Sequence, residues 1–564
     1  MHTRRELLGA AVGSAALGWS ASAMGVALSR PDEAGAANSS EGDSIVPRSR
    51  PPAGSVLVAT LQGLSPGEAS AFTVMQGLVN RTQPRVYFVH DVEDAYWLHW
   101  LQERGDVDRV EWIGRYDIFR RVRGQIKGCI VTDPALPATN NVAMLLGSID
   151  DCLVVSPDLL DAFDLPIHED LRGRWSQPAD AYRWAYENLF DSASRQLLAH
   201  MGAYSCRLRD YMTEFKVFTF WLSGKDDDNG HKEVALAREV FQRIGPNHPV
   251  VGWWGAHGQA ESRGIGEGPG VDLIAQYGLF TDCMDLDGHC QGTSNVSVHS
   301  GTRAVFKQKA APPVPKLENK VYFSFVRTDG DGTNFWRQEF LRRWSDPQHG
   351  RVAISWPIGP MASDFIPDIM DWFYRYASAN DHFMVAVSGI GYTRENLYGA
   401  ELSPEMRSQS FEQFRRLTAK YMKRMDLHHI HTHKTSSPSL VEEYAHIEGL
   451  DGLFLNYDRE PDTTADNATE SVNGVPVFRS VTVGPEVKGE SWPAKIQSVL
   501  AQIREFTPVS RPAFLHVTLQ NWCVGEPTNM LSCEVIRDIQ QALGADYVAV
   551  RADHLAELYA QHKP

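Results

Sequence analysis

From residue 321 to residue 550 the chain repeats one arrangement, a short apolar run followed by a stretch with helical spacing. The runs fall at 321–326, 352–358, 382–388, 427–433, 452–457, 475–482, 512–519 and 546–550. Runs of this length without polar alternation are buried on both faces, as strands of a parallel sheet must be. Between them, SDFIPDIMDWFYRYA, PEMRSQSFEQFRRLTAKYMKR, PAKIQSVLAQIREF and CEVIRDIQQALG carry apolar residues three and four apart, the mark of helices with one buried face. Eight strands in roughly 240 residues is the size of a (β/α)8-like barrel. The connection at 458–474, DREPDTTADNATESVNG, has no helical period, so the barrel is expected to be irregular. A doubly wound open sheet is the alternative.

Upstream the same α/β grammar appears in smaller units. SVLVAT, PRVYFV, RVEWIG, GCIVTD and CLVVSP read as short strands, and GEASAFTVMQGLVNR and NNVAMLLGSI as helices between them. The expected division is three small α/β domains, 55–122, 123–205 and 206–305, ahead of a C-terminal domain at 316–564. Residues 29–54 are rich in Pro, Ser, Gly and Ala and nearly empty of large apolar side chains. They read as a disordered linker, because they have little to bury against the cost of ordering. Residues 1–28 read as a signal peptide: Arg4 and Arg5 precede an Ala/Gly-rich apolar stretch and the small-x-small pattern Ala21-Ser22-Ala23. The paired arginines are of the twin-arginine type. They imply bacterial export of a folded chain to the periplasm or beyond.

Charge narrows the function. Lys and Arg total 54 and Asp and Glu total 70, a net charge of 54 − 70 = −16. An acidic chain without a basic run lacks the cations that displace counterions from a polyanion, so nucleic acid is excluded as a partner. No stretch of the mature chain is long and apolar enough to span a membrane.

In either candidate fold the site lies beyond the C-terminal ends of the strands. VYFSFVRTDGDGTNFW puts Asp329 and Asp331, each followed by glycine, at the end of the first C-terminal strand. The other strand ends read WPIGP, SGIGYTRE, HTHK, NYDRE, QNWCVGE and RADH. Hydrolysis of a glycosidic bond needs two carboxyl groups flanking it; Asp329, Asp331, Asp458 and Glu526 are the candidates. Sugar binding needs flat apolar platforms beside polar groups; Trp336, Trp356, Tyr392, Tyr457 and Trp522 are the candidates. Asp-Gly is also common turn chemistry, in which the carboxylate serves only its own backbone. DLHHIHTHK places His429, His431 and His433 on one face of a strand. His431 and His433 are therefore candidate ligands for a divalent metal, against the plainer reading of hydrogen-bonded histidines inside a barrel.

At SGIGY the chain resembles the GxGYxYP proteins, bacterial secreted or surface proteins described as putative glycoside hydrolases. The resemblance also rests on MQGLVNRTQPRVYF, KGCIVTDPALPATNNVAMLLGSIDDCLVVSPDL, DLRGRW, GWW, YGLF, NVSVHSG, FVRTDGDGTNFW and YVAVRADHLAEL. It implies small N-terminal α/β domains before a barrel-like domain. The family's acid motif falls on Asp329, Gly330 and Asp331, with Gly332 in place of the family's Asn and Asn334 two positions on. Gly389, Gly391 and Tyr392 match the signature, whereas its closing Tyr-Pro is Arg394-Glu395. The resemblance implies a glycan substrate, with Gly389, Gly391 and Asn334 joining the binding residues.

The leading expectation is a secreted glycoside hydrolase without a cofactor. Asp331 acts with Asp458 or Glu526, and Asp329 orients it. The alternatives are a metal-dependent carbohydrate deacetylase and a non-catalytic carbohydrate-binding protein. Replacing Arg4 and Arg5 by lysine is expected to leave the precursor in the cytoplasm. Cell fractionation checks this, and unchanged export would point to an ordinary secretory signal.

Overall fold

The computed structural model describes residues 44–255, 264–285, 290–435, 437–483, 491–521 and 531–562. Three small parallel sheets come first. The first has strands β1 (Ser55–Thr60), β2 (Val86–Val89) and β3 (Arg109–Trp112) in the order β2-β1-β3. The second has β4 (Gly128–Val131), β5 (Cys152–Val155) and β6 (Ile167–Asp170) in the order β5-β4-β6. The third has β7 (Leu198–His200), β8 (Thr219–Phe220), β9 (Pro249–Gly252) and β10 (Phe280–Cys283) in the order β10-β9-β7-β8.

Two sequence expectations change here. The boundary at 205/206 falls too late, because β7 pairs with β8 and β9 and so belongs to the third sheet. The expected disorder does not reach residues 44–54. Val46 is buried, Tyr211 donates to the Pro47 carbonyl at 2.5 Å, and Ser49 Oγ donates to Glu214 at 2.7 Å. A segment poor in large side chains is held by specific hydrogen bonds rather than by its own apolar area.

The C-terminal domain is one large sheet. Its strands are β11 (Val321–Arg327), β12 (Ile354–Ile358), β13 (Asp381–Val385), β14 (His429–His431), β15 (Gly452–Leu455), β16 (Thr469–Val472), β17 (Val475–Arg479), β18 (Ala513–Leu519) and β19 (Tyr547–Ala549). The order is β16-β17-β15-β14-β13-β12-β11-β18, with only β16 antiparallel. β18 takes one whole edge of β11, from Val321 opposite Ala513 to Arg327 opposite Leu519. The other edge is shared: Val326 pairs with Ser355 of β12, and Val321–Phe323 pair with β19. A regular (β/α)8 barrel would set its last strand beside its first and close the ring there. Here β19 is fitted on the far side of β11, and the sheet is a curled half-barrel. It curls far enough for a single parallel bridge between Ser480 and His516.

The inner face of the curl explains the irregularity. Tyr322, Val326, Met384, Phe454, Phe478 and Phe514 share one apolar cluster with Leu555, Leu558 and Tyr559 of the last helix, Ala552–His562. That helix follows β19 directly and occupies space that layered side chains fill in a regular barrel. The opposite faces of the same strands join a core that runs through all the domains, from Val46 to Leu543. The longest helix among the described residues, Pro404–Met425, starts at an N-cap where Ser403 accepts from Met406 N and stops at Asp426, whose φ is 55°.

A buried ion cluster joins three of these units. Arg337 is fully buried and donates to Asp91 at 3.0 and 2.8 Å and to Asp94 at 3.1 Å. Arg207 of the third domain donates to the same Asp91 at 2.7 Å. Removing one partner of a buried pair strands the other's charge and costs roughly 3–5 kcal/mol. Arg337→Met is therefore expected to lower unfolding stability by about that amount. Denaturant titration checks it, and a loss within about 0.5 kcal/mol, the usual size for a surface change, would refute the lock.

Candidate active site

β11 ends at Arg327 and the chain turns at once. Asp329 sits at φ 65°, a conformation that Asp tolerates better than most residues. Its Oδ2 accepts from Thr328 Oγ1 and, at 3.0 Å, from Asn521 Nδ2. Asn521 is itself held by Arg327 Nε at 2.8 Å. Gly330 is required by space: a Cβ there would lie 1.6 Å from the Pro357 carbonyl oxygen. The Gly330 carbonyl accepts from Trp336 Nε1 and from Gly359 N, both at 2.8 Å. The loop is thus clamped between the end of β12 and the short helix Thr333–Arg337, and it delivers Asp331 half-buried at the rim.

Tyr457, just beyond β15, ties the two acids together. Its hydroxyl accepts from Asp329 N at 3.1 Å and donates to Asp331 Oδ1 at 3.2 Å. The rings of His431 and His433 lie 4.9 and 5.1 Å from the Tyr457 ring, and Tyr392 lies 5.2 Å from His433. Arg394 Nη1 donates to the His433 ring.

The third domain supplies the opposite wall. Thr281 of β10 exchanges two backbone hydrogen bonds with Tyr392, at 2.8 and 2.9 Å. Asp282 accepts from Thr333 N at 2.9 Å and from Thr333 Oγ1 at 2.8 Å. Asn334 Nδ2 donates to the Asp285 carbonyl at 3.0 Å. From the same domain, Glu267 accepts from the Tyr392 hydroxyl at 2.9 Å and Asp272 pairs with Arg394 Nε at 3.1 Å.

Burial keeps protons on most of these groups. It pushes the Asp282 carboxyl up to about 8, with the Asp331 charge adding to the rise against the Thr333 hydrogen bonds. The Tyr457 phenol is pushed well above its ordinary value by burial and then by Asp331 and Asp329. Burial does the same at Tyr392, with Glu267 and Asp331 adding and Arg394 opposing. Burial pulls His431 down to about 3, and burial followed by the Arg394 charge holds His433 well below the usual histidine range. Asp331 is thus a negative neighbour to three proton-holding groups on three separate segments.

Asp329, Asp331, Tyr392, Tyr457, His431 and His433 are therefore brought together, and Asp458 follows Tyr457, receiving Gln520 Nε2 at 3.4 Å. Trp336 and Trp356 are corrected: both are fully buried and offer no face to a sugar. Their indoles pack in the core, Trp336 on Phe340 and Phe373, while Trp356 donates to Asp381 at 2.8 Å. Asn334 is also fully buried, engaged with the third domain. Trp522 and Glu526 lie outside the described residues. His431 faces the inside of the curl, where it meets His516 at 5.3 Å. Among the described residues no three His, Cys, Asp or Glu side chains are grouped to hold a metal. Sequence reasoning missed Asp282, although an acid inside the buried strand FTDC needs a partner to remain there and was a usable signal.

Four family models match the chain. They are the GxGYxYP first domain at 55–111, the second domain at 126–193, the third domain at 196–301 and the "GxGYxYP putative glycoside hydrolase C-terminal domain" at 319–560. The chain belongs to the GxGYxYP family. A solved structure, a putative hydrolase from Bacteroides thetaiotaomicron, is 20% identical with a TM-score of 0.77, and the match covers 92% of this chain and 97% of that one. It shares the fold. A putative polysaccharide deacetylase from Mycobacterium smegmatis matches 46% of this chain and 96% of its own at 10% identity, with a TM-score of 0.30, too slight a likeness to bear on the fold. Among curated proteins none matches.

The GxGYxYP signature has a visible physical job here. Gly389 turns the chain at φ 149° against Phe414 and Thr418. A Cβ on Gly391 would lie 2.6 Å from the Phe280 ring, so glycine lets the turn dock on β10. Tyr392 then bridges to Thr281, with its own side chain only 2% exposed. Gly389 and Gly391 thus serve the docking of two domains.

Asp282 also yields a stability prediction. The folded state holds a proton up to about pH 8, whereas the unfolded chain releases it near 4. Stability drawn from this group is present below the unfolded value and is lost as pH rises towards the folded one. Asp282→Asn keeps both Thr333 contacts without an ionisable proton. Its melting temperature is expected to rise relative to the wild type as pH increases from 4 to 8. A difference that does not change with pH would contradict a protonated Asp282.

Proposed function

We propose that this GxGYxYP protein hydrolyses glycosidic bonds in a glycan, with Asp331 as a catalytic carboxyl at the rim of its barrel-like C-terminal domain. The observation that carries the reading is the hydrogen bond from the Tyr457 hydroxyl to Asp331 Oδ1 at 3.2 Å, which holds a half-buried carboxyl at the end of β11. The description of the C-terminal family model as a glycoside hydrolase supports the same substrate class. Export of the folded chain to the periplasm or beyond, where glycans are met, belongs to this proposal.

The roles follow from the contacts. Glycoside hydrolysis needs one carboxyl to protonate the departing oxygen and a second to activate water or attack the sugar. Asp331 is one of them, and Asp458 or Glu526 is the partner. Asp329 is engaged by Thr328 in its own loop and by Asn521 just beyond β18, so its part is to set that loop. Tyr457, positioned by Asp329 N, fixes the Asp331 carboxylate. Tyr457 is part-exposed and offers its ring to the site, whereas Tyr392, expected from the sequence to bind sugar, is buried and bonded to Glu267, so it supports the wall from behind.

Asp331→Asn is expected to lower turnover by about 10²–10⁴-fold, the worth of a catalytic acid or base, without changing the melting temperature by more than a few degrees. Asp329→Asn is expected to cost less. The measurement is turnover over a panel of oligosaccharides. Wild-type rates for Asp331→Asn would make Asp331 a turn residue and send the search to Asp458 and Glu526.

A further inference from the structure

The rim is built by two domains. Consecutive residues of β10 take hold of both motifs that frame the candidate site. Thr281 holds the GxGY turn through its backbone, at 2.8 and 2.9 Å to Tyr392. Asp282 holds the DGDG loop through its side chain, at 2.9 and 2.8 Å to Thr333 N and Oγ1. Thr333 lies two residues after Asp331 and opens the helix that fixes the loop's far end. The carbonyl of Asp285 extends the same grip to Asn334. Asp282 is 1% exposed and the Thr333 side chain is buried with it, so water does not compete for these bonds.

From this geometry we infer that Asp282, on the third domain, is a positioning residue for Asp331, and that the C-terminal domain's site is incomplete without the third domain. The inference rests on the reading of Asp331 as the catalytic carboxyl. A carboxyl that accepts one backbone N–H and pairs with one hydroxyl fixes the helix start in position and rotation. Released from it, the Asp331 loop keeps its clamp on the β12 side, where Gly330 meets Gly359, but on the opposite side loses the bonds at Thr333, the ones nearest Asp331, and retains only the Asp285 carbonyl's hold on Asn334 and the Arg337 anchor beyond it. Charge bears on the same contact. The charged group facing Asp282 from the loop is Asp331. Tyr392 beside it keeps its proton, and Asp285 on the same segment is bonded to Ser205 Oγ. Ionisation of Asp282 would therefore set two negative groups against each other across the interface.

The test uses the full-length protein and the best oligosaccharide found for the wild type. Asp282→Ala is expected to lower kcat at least tenfold with KM within about threefold. Asp282→Asn, whose oxygen accepts Thr333 N and whose amide N–H is received by the Thr333 hydroxyl once that hydroxyl turns from donor to acceptor, is expected to restore kcat to within about threefold. The wild type is expected to lose activity as pH passes about 8, and Asp282→Asn to lack that alkaline fall. Melting temperature and circular dichroism identify any Ala variant that has not folded; in that case Asp282→Asn against wild type across pH decides alone. If Asp331→Asn abolishes turnover but Asp282→Ala leaves kcat unchanged, the inference is overturned and the proposed function stands. If Asp331→Asn retains turnover, Asp331 is not the catalytic carboxyl, and the inference falls with that assignment while the hydrolytic activity stands. Equal alkaline limbs in wild type and Asp282→Asn would also overturn the role of Asp282.

Discussion

Two backbone hydrogen bonds between Thr281 and Tyr392 set the relation on which the rim depends. They are made by main-chain groups, so the identity of neither side chain secures them; what secures them is the closeness of approach. Gly391, whose missing Cβ leaves room for the Phe280 ring, permits that approach. Once β10 is docked, Asp282 meets Thr333 and Asp285 meets Asn334 without further adjustment. The buried Arg337 with Asp91 and Asp94 holds the first domain against the same helix from its other end. The helix that follows the DGDG loop is thus fixed by other domains at both ends, and the position of Asp331 is set by the assembly of the chain rather than by β11 alone.

The inner face of the curl follows a different logic. A parallel sheet covered on both sides must fill its concave face. This chain does so with its last helix at one end and with aromatic and histidine rings further along. His382, His429, His431 and His516 are all buried there. Burial pulls His429 and His431 down to about 3 and His382 to about 4, so these rings are neutral at physiological pH and add no charge beneath the rim. The ionised chemistry is left to the loops at the strand ends, where Asp331 remains half-buried and reachable.

Much of this was legible in the sequence. All eight strand candidates after residue 320 are strands; most are buried along their whole length and leave a continuous apolar signature, whereas β14 is carried by histidines and β19 is only part-buried. The position of β19 was not legible: a run of β-branched residues says that a strand exists but not which edge accepts it, and here a helix inside the curl decides. Among site residues, Asp329 and Asp331 stood out because two acids interrupted an apolar run. Trp336 and Trp356 misled because an aromatic at a strand end reads the same whether it faces a ligand or the core. Asp282, Glu267 and Arg394 depend on how two domains meet, and no local pattern encodes a meeting between residues some 50 to 120 positions apart.

The broken signature can be read in the same physical terms. Its first part, Gly389 to Tyr392, is a docking device whose residues are fixed by space, and this chain keeps it. Its last two positions are Arg394 and Glu395 instead of Tyr and Pro. Arg394 reaches Asp272 on the same third-domain helix, Glu267–Ala275, whose Glu267 receives Tyr392. Asp272 is 46% exposed, so that ion pair adds little stability, but its geometry holds Arg394 against the His433 ring. Glu395 turns inward, where its carboxyl, raised by burial, accepts from His433 N at 3.4 Å. Both replacements therefore act on His433, and Arg394 also on the contact with the third domain. At this end of the signature the junction with the third domain is made by the charge of Arg394, while Glu395 holds the backbone of His433 from within the C-terminal domain.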